Sequence, residues 1–402
     1  MKQYAFQNAT ILLPKKDFDK WAVVACDQYT SEPEYWDQVD EFVADAPSTL
    51  RMMLPEIYLE SEGLNDRING INHRMKQYIS DGTLKEYPNA MIYVERTQYD
   101  GSVRHGIIGT IDLNDYDYHK ESKALVRATE QTVVERIPPR VHIRRDATLE
   151  LPHVLLLVDD PTNSVFASLV DKKSTFETAY NFDLMQNSGH IEGYFLDEAT
   201  QNYVSEALEA LLANSEDKML FAVGDGNHSL ATAKECSRLN PNPLSNRALV
   251  EIVNIHDPAI TFEPIYRVVF NVDPDELLAD FLDTLGGEYD GADAQEFEFV
   301  TQDITRIVTV KPTAKLPVGT LQSFLDDYLR ANLNSKIDYI HGEDVVHDLC
   351  SASTTTCGFI FKGMEKSDLF PAVKKDGSLP RKTFSMGHAC DKRFYLEARK
   401  IK

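Results

Sequence analysis

The segment Phe221-Ala-Val-Gly-Asp-Gly-Asn-His-Ser229 constrains this chain more than any other. Met219 to Val223 is an unbroken apolar run of strand character, and Leu230 to Arg238 reads as a helix opening. Between them Gly224 and Gly226 permit a sharp turn and let backbone N–H groups approach a ligand. The helix start adds unpaired N–H groups and the positive end of its dipole, a setting that holds phosphate or carboxylate. Asp225 and His228 supply an acid/base or metal-binding pair, and Gly224, Gly226, Asn227 and Ser229 are the expected anion contacts. The competing reading is a structural turn in which Asp225 or Ser229 caps the helix and His228 is merely exposed.

Strand and helix patterns mix along the whole length. Met91 to Val94 and Gly106 to Leu113 read as paired strands, and Leu151 to Val158 as a strand covered on both faces. Phe176 to Met185 and Ile191 to Leu196 flank a hairpin turn, and Glu198 to Leu212 has helical periodicity. Trp21 to Ala25 reads as a strand. After it, Ser31 and Glu34 have capping-box spacing ahead of Trp36, Val39 and Phe42. The expected class is α/β or α+β: mixed sheets with flanking helices. The expected division is a main domain over 1–272 and a smaller α+β region over 273–402.

Sixty-four Asp and Glu outweigh 41 Lys and Arg, giving a net charge of −23. Such a field repels nucleic acid and anionic membranes, so an anionic ligand needs a local positive cluster. Residues 127–145 provide one: Arg127, Arg136, Arg140, Arg144 and Arg145 against Glu130 and Glu135, a surplus of three positive charges. Guanidinium forks grip phosphate and carboxylate bidentately, which makes Arg127, Arg136, Arg140 and Arg144 candidate clamps. Pairing with the surplus of surface acids is the alternative fate of each. Arg267 and Lys382 are further candidate anion ligands. Asp27, at the end of the first strand, and Glu130 are candidate general bases.

The five cysteines are scattered and contain no Cys-x-x-Cys pair, which argues against a disulfide framework or a thiolate zinc site. The chain opens without the apolar core of a secretory signal, and no apolar run nears the ~18–20 residues a bilayer requires. A cytoplasmic protein is expected, with a small anionic metabolite as partner and neither nucleic acid nor membrane. Nothing in the sequence points to zinc, haem, flavin or iron–sulfur.

Several separated segments agree with one family. Trp21 to Thr30, Arg127-Ala-Thr-Glu130, Arg136-Ile-Pro-Pro-Arg140, Phe221 to Ala233 and Leu379 to Met386 together resemble the prokaryotic DUF1015 family over nearly the whole chain. That resemblance implies no settled reaction. A second, motif-level likeness joins Asp225-Gly-Asn-His-Ser229 to the phosphate-holding pentad of the ParB/sulfiredoxin superfamily, which includes nucleotide-dependent kinases of free serine. Asp225, Gly226 and His228 match; Asn227 and Ser229 depart, and Ser229 stands where the pentad has an arginine. The likeness implies phosphoryl transfer on a serine-like or phosphorylated metabolite by a kinase or phosphatase, with ATP or ADP and with Mg²⁺ held by Asp225. Two other classes stay open: a non-catalytic sensor of an anionic metabolite, and a ParB-like nuclease or DNA-binding protein.

Overall fold

The structure is a computed structural model that describes residues 4–131 and 137–402. It divides into two compact units: Met1–Ile260 together with Gly387–Lys402, and Thr261–Met386. The division therefore falls after Ile260 rather than after residue 272, and the last segment of the chain returns to the first unit.

A ten-stranded mixed sheet organises the first unit. Its main path runs Glu177–Asp183, His190–Phe195, Ile92–Thr97, Val103–Asp112, Arg247–Asn254, Leu155–Val158, Phe221–Asp225, Val126–Ala128 and Tyr116–Asp117. The first five are antiparallel neighbours, joined partly by hairpins. Leu155–Val158 then lies parallel to Arg247–Asn254 and antiparallel to Phe221–Asp225, which is parallel to Val126–Ala128. Side-chain alternation along these strands feeds two cores. Ile92, Val94, Ile108 and Leu249 face a core with Trp21, Val23 and Trp36. Tyr93, Ile107, Leu156, Phe221, Val223 and Val250 face the other. Each fully buried aliphatic or aromatic side chain stabilises by roughly 1.5–3 kcal/mol, so both sheet faces are well sealed.

Several sequence expectations change in detail. Leu151 to Val158 is strand only from Leu155, because Pro152 cannot donate to a ladder; Leu149–Glu150 pairs separately with Arg399–Lys400. Trp21 closes a short helix, Phe18–Trp21, and only Val23–Val24 is extended, paired with Phe394–Tyr395. The helix expected after Ser31 is Pro33–Val43, but Glu32 is its N-cap and no side chain caps it. Pro33 at the first position displaces the capping box, since a proline there needs no N–H partner.

The second unit holds a five-stranded antiparallel sheet in the order Thr305–Val310, Gln295–Val300, Thr356–Phe361, Tyr266–Phe270, Lys336–Ile340. Phe281, Phe297 and Phe359 meet edge to face in its core. Arg267, buried on the central Tyr266 strand, donates to Gln322 Oε1 and to the carbonyls of Ile265, Arg381 and Lys382. Lys382 is exposed at a positive φ of 57°.

Candidate functional site at the Gly226 turn

The strand beginning at Phe221 runs on through Gly224 and Asp225, and the helix Asn227–Leu239 starts two residues later. The expected six-residue loop is thus a single residue, Gly226, at φ 82°. That left-handed conformation is strained for any residue with a Cβ. A Cβ at Gly226 would also stand 3.1 Å from Val154 Cα and 3.3 Å from His153 Cδ2. The antiparallel register that sets Leu155 opposite Asp225 brings His153 and Val154 against this turn. With a glycine as N-cap, no side chain closes the helix start. His228 and Ser229 lie in the first helical turn, half-buried.

The arginine segment and the glycine turn meet. Val126–Ala128 pairs with Phe221–Val223, and Thr129 and Asn227 exchange two hydrogen bonds. The Thr129 N–H donates to Asn227 Oδ1 at 3.2 Å, and Asn227 Nδ2 donates to Thr129 Oγ1 at 3.3 Å. Past the undescribed residues 132–136, the helix Ile137–Arg144 packs against Asn227–Leu239. Pro138 and Pro139 occupy its first turn, where their missing N–H groups do no harm.

The arginines of the segment go different ways. Arg127 is buried and bound to Asp217, with its Nη1 2.9 Å from the carboxylate and its Nη2 donating to the Asp217 carbonyl at 3.0 Å. Arg144 pairs with buried Glu150. Arg140 pairs with Glu56. Arg136 lies outside the described residues, and Glu130, half-buried, directly follows Thr129. Arg267 and Lys382 belong to the second unit.

Asp27 follows the Val23–Val24 strand and sits in a polar cluster that joins six parts of the first unit. The Cys26 carbonyl accepts from the Glu56 N–H at 2.8 Å, which brings Arg140 and its partner Glu56 alongside. Tyr395 Oη donates to Cys26 Sγ at 3.2 Å and lies 2.8 Å from His153 Nδ1. Gln28 Nε2 donates to Asp27 Oδ1 at 3.0 Å. Lys392 Nζ lies 3.3 Å from Asp225 Oδ2, while Asp225 Oδ1 accepts from the Gly226 N–H at 2.8 Å.

Charge follows from this geometry. Burial alone would raise the Asp27 carboxyl, but His153, the Gln28 hydrogen bond and Lys392 hold it below the ordinary carboxylate value. Burial, with Asp27 and Glu56 nearby, pushes the Cys26 thiol up to about 12, which makes it a packed thiol and not a nucleophile. All five cysteines are free.

His153, Lys392, Tyr395 and Glu56 were not among the residues expected from sequence. His153 interrupts an otherwise apolar run, a faint signal. Lys392 and Tyr395 gave none, because only the return of Gly387–Lys402 brings them here.

Among the described residues, no three His, Cys, Asp or Glu side chains gather into a metal-holding group, and no helix is long and apolar enough to cross a membrane. Asp159 and Asp160, a further conceivable cation pair, are occupied otherwise. Asp160 accepts from Thr162, Ser164 and the Val165 N–H, and Asp159 lies 2.8 Å from His256.

Fold and site define the first unit as a mixed α/β domain with a strand–glycine turn–helix element at its polar cluster. The family model described as "Protein of unknown function (DUF1015)" matches residues 8–328, so the chain belongs to the DUF1015 family. No curated protein matches the sequence. Among solved structures, the fold is similar to a free serine kinase in complex with AMP (12% identity, TM-score 0.41, 73% of this chain and 91% of that one). It is also similar to a conserved hypothetical protein from Pyrococcus furiosus (12%, 0.38, 73% and 94%). A third is SbnI with C-terminal truncation from Staphylococcus aureus (9%, 0.38, 70% and 82%).

Proposed function

We propose that this protein is a phosphoryl-transfer enzyme acting on a small serine-like metabolite, with a nucleotide as the phosphoryl donor. The observation that carries the reading is the cluster at the Gly226 turn: an uncapped helix start beside Asp225–Lys392 and Asp27. A helix N-terminus and an ammonium favour phosphate oxygens, and an ionised carboxylate is a proton acceptor for a hydroxyl.

The charge balance favours the kinase over the phosphatase form. Asp27, Asp225 and Glu56 oppose Lys392 and Arg140, so a bare phosphate meets no net positive charge among these five side chains. A phosphate that arrives with Mg²⁺ meets the reverse situation, since Mg²⁺ takes one or two carboxylates and completes its shell with phosphate oxygens and water. Asp225 would be such a carboxylate, and Mg²⁺ would supply charge neutralisation of the phosphates.

In the forward direction the acceptor hydroxyl oxygen forms the new P–O bond. The bond to the leaving nucleotide phosphate breaks with its electron pair, and Asp27 takes the hydroxyl proton. Glu130 is the second candidate for that proton. The Asn227–Ser229 backbone and His228 hold the phosphoryl oxygens, and Arg140 neutralises charge that develops on them.

The test is phosphorus NMR of the protein with Mg²⁺, ATP or ADP, and free serine. Growth of a phosphomonoester resonance that requires both nucleotide and serine is the expected result. Loss of phosphate from phosphoserine without nucleotide would instead identify a phosphatase. No change in any resonance would overturn the reading.

A further inference from the structure

Gly387–Lys402 is fastened into the first unit by more than packing. Trp21 Nε1 donates to the Leu396 carbonyl at 2.8 Å, and Leu12 and Ala398 exchange backbone hydrogen bonds at 2.8 and 3.0 Å. Phe394–Tyr395 and Arg399–Lys400 each extend a short strand pair. Just before these, the turn Ala389–Asp391 is held from the sheet side. Arg96 Nη2 donates to the Cys390 carbonyl at 2.9 Å, Arg104 Nη1 to the Asp391 carbonyl at 3.2 Å, and the Tyr99 N–H to Asp391 Oδ1 at 2.8 Å.

Beneath this turn lies a buried ionic network. Arg393 Nη1 is 2.8 Å from Glu251 Oε2, and its Nη2 pairs with Glu397, which also accepts from Tyr180 Oη at 2.5 Å. Arg104 Nη2 lies 3.7 Å from Glu251 Oε1. Glu251 fits only because Gly106 has no side chain; a Cβ there would stand 2.3 Å from Glu251 Oε1. Burial and the neighbouring Arg104 bring even Arg96 down to about 9.

Such a network is costly. Charges removed from water regain little net energy from one another, and apolar side chains of the same volume stabilise a core at least as well. What the network does secure is position. It fixes the backbone on both sides of Lys392, whose side chain leaves this network for the Gly226 turn and reaches Asp225 with 16% of its surface exposed. A lysine serving only as a surface ion pair contributes little to stability and requires no such anchoring.

We propose that Lys392 is a phosphate-gripping residue of the site, delivered by the C-terminal return and aimed by the buried Arg393–Glu251–Glu397 network. In the ligand-free protein Asp225 holds the ammonium beside the Gly226 turn, 3.3 Å from its Oδ2. A nucleotide phosphate would take the ammonium from the carboxylate, and Asp225 would then be free to hold the accompanying divalent cation. This inference rests on the phosphoryl-transfer reading.

Calorimetric titration of the full chain with magnesium ADP tests it, using the wild type, Lys392→Met and Lys392→Arg, with thermal melting of each as a control for folding. The expected result is wild-type binding, a loss of about thirtyfold or more in Lys392→Met, as one charge-assisted hydrogen bond implies, and partial recovery in Lys392→Arg. Binding by Lys392→Met within threefold of wild type overturns this inference and leaves the phosphoryl-transfer reading standing. Absence of binding by the wild type overturns that reading, and this inference with it. Should Lys392→Met not fold, Lys392→Gln replaces it; failure of both to fold would make Lys392 a structural residue and overturn the inference.

Discussion

Lys392 Nζ lies 3.3 Å from Asp225 Oδ2, so the last segment of the chain closes onto the strand end that leads into the Gly226 turn. Asp225 therefore has two partners, its own turn through Oδ1 and the C-terminal return through Oδ2. The acid that the glycine motif singles out is thereby linked to a lysine that no local pattern marks.

His228→Ala and Arg140→Ala should each lower phosphoryl transfer at least about a hundredfold, the scale for losing one group that stabilises transferring charge. Stability should change little. Arg140 and Glu56 form a pair whose side chains are 20% and 21% exposed, and such pairs contribute about 1 kcal/mol or less. Steady-state rates alongside melting curves check this; collapse of folding in both variants would make the two residues structural.

Asp27→Asn should keep ligand affinity and lose about 10²–10⁴ in rate, because the amide fills the same space but accepts no proton. A variant that retains the rate would transfer the base role to Glu130. Turnover absent in both wild type and variant, with binding intact in both, would point to a sensor.

Gly226→Ala should destabilise the protein by about 1–2 kcal/mol, the usual cost of a left-handed backbone in a residue with a Cβ. The 3.1 Å approach to Val154 Cα would add to that. Urea unfolding measures it, and an unchanged midpoint would mean that the turn relaxes freely.

Acid stability should depend on Glu150. Burial would raise its carboxyl, but Arg399, whose Nε stands 2.6 Å away, and Arg144 hold it below the ordinary 4.5. Its folded value lies below its unfolded value, so its stabilisation is fully present above about pH 4.5 and is lost as pH falls through the folded value. Glu150→Gln should flatten the acid limb of the pH–stability curve and cost about 3–5 kcal/mol near neutrality, because buried Arg399 loses its carboxylate.

How much the sequence disclosed follows the range of the interactions. The Phe221–Asp225 strand and its helix were legible because apolar runs and glycines act locally. The hairpin around Gly189 was legible for the same reason, with Gln186, Asn187 and Gly189 all at positive φ. Asp27 was legible as a candidate because it follows an apolar run. Arg127 and Arg144 were indistinguishable from Arg140 by sequence, since their partners Asp217 and Glu150 are ordinary acids until the fold brings them near. His153 and Lys392 stayed hidden because their neighbours are distant in the chain: Tyr395 for one, Asp225 for the other.

Thermal melting of the intact protein with phosphate, phosphoserine, serine, ADP and ATP, each with and without Mg²⁺, decides whether the cluster at the Gly226 turn receives a magnesium nucleotide. A ligand at a hundredfold its dissociation constant stabilises by about 2.7 kcal/mol, well within reach of the method. A clear rise is expected with ADP or ATP only when Mg²⁺ is present, and little or none with bare phosphate. No rise with any nucleotide, or an equal rise without Mg²⁺, would rule out a phosphoryl-transfer site in which Lys392 meets the phosphate and Asp225 the cation that accompanies it.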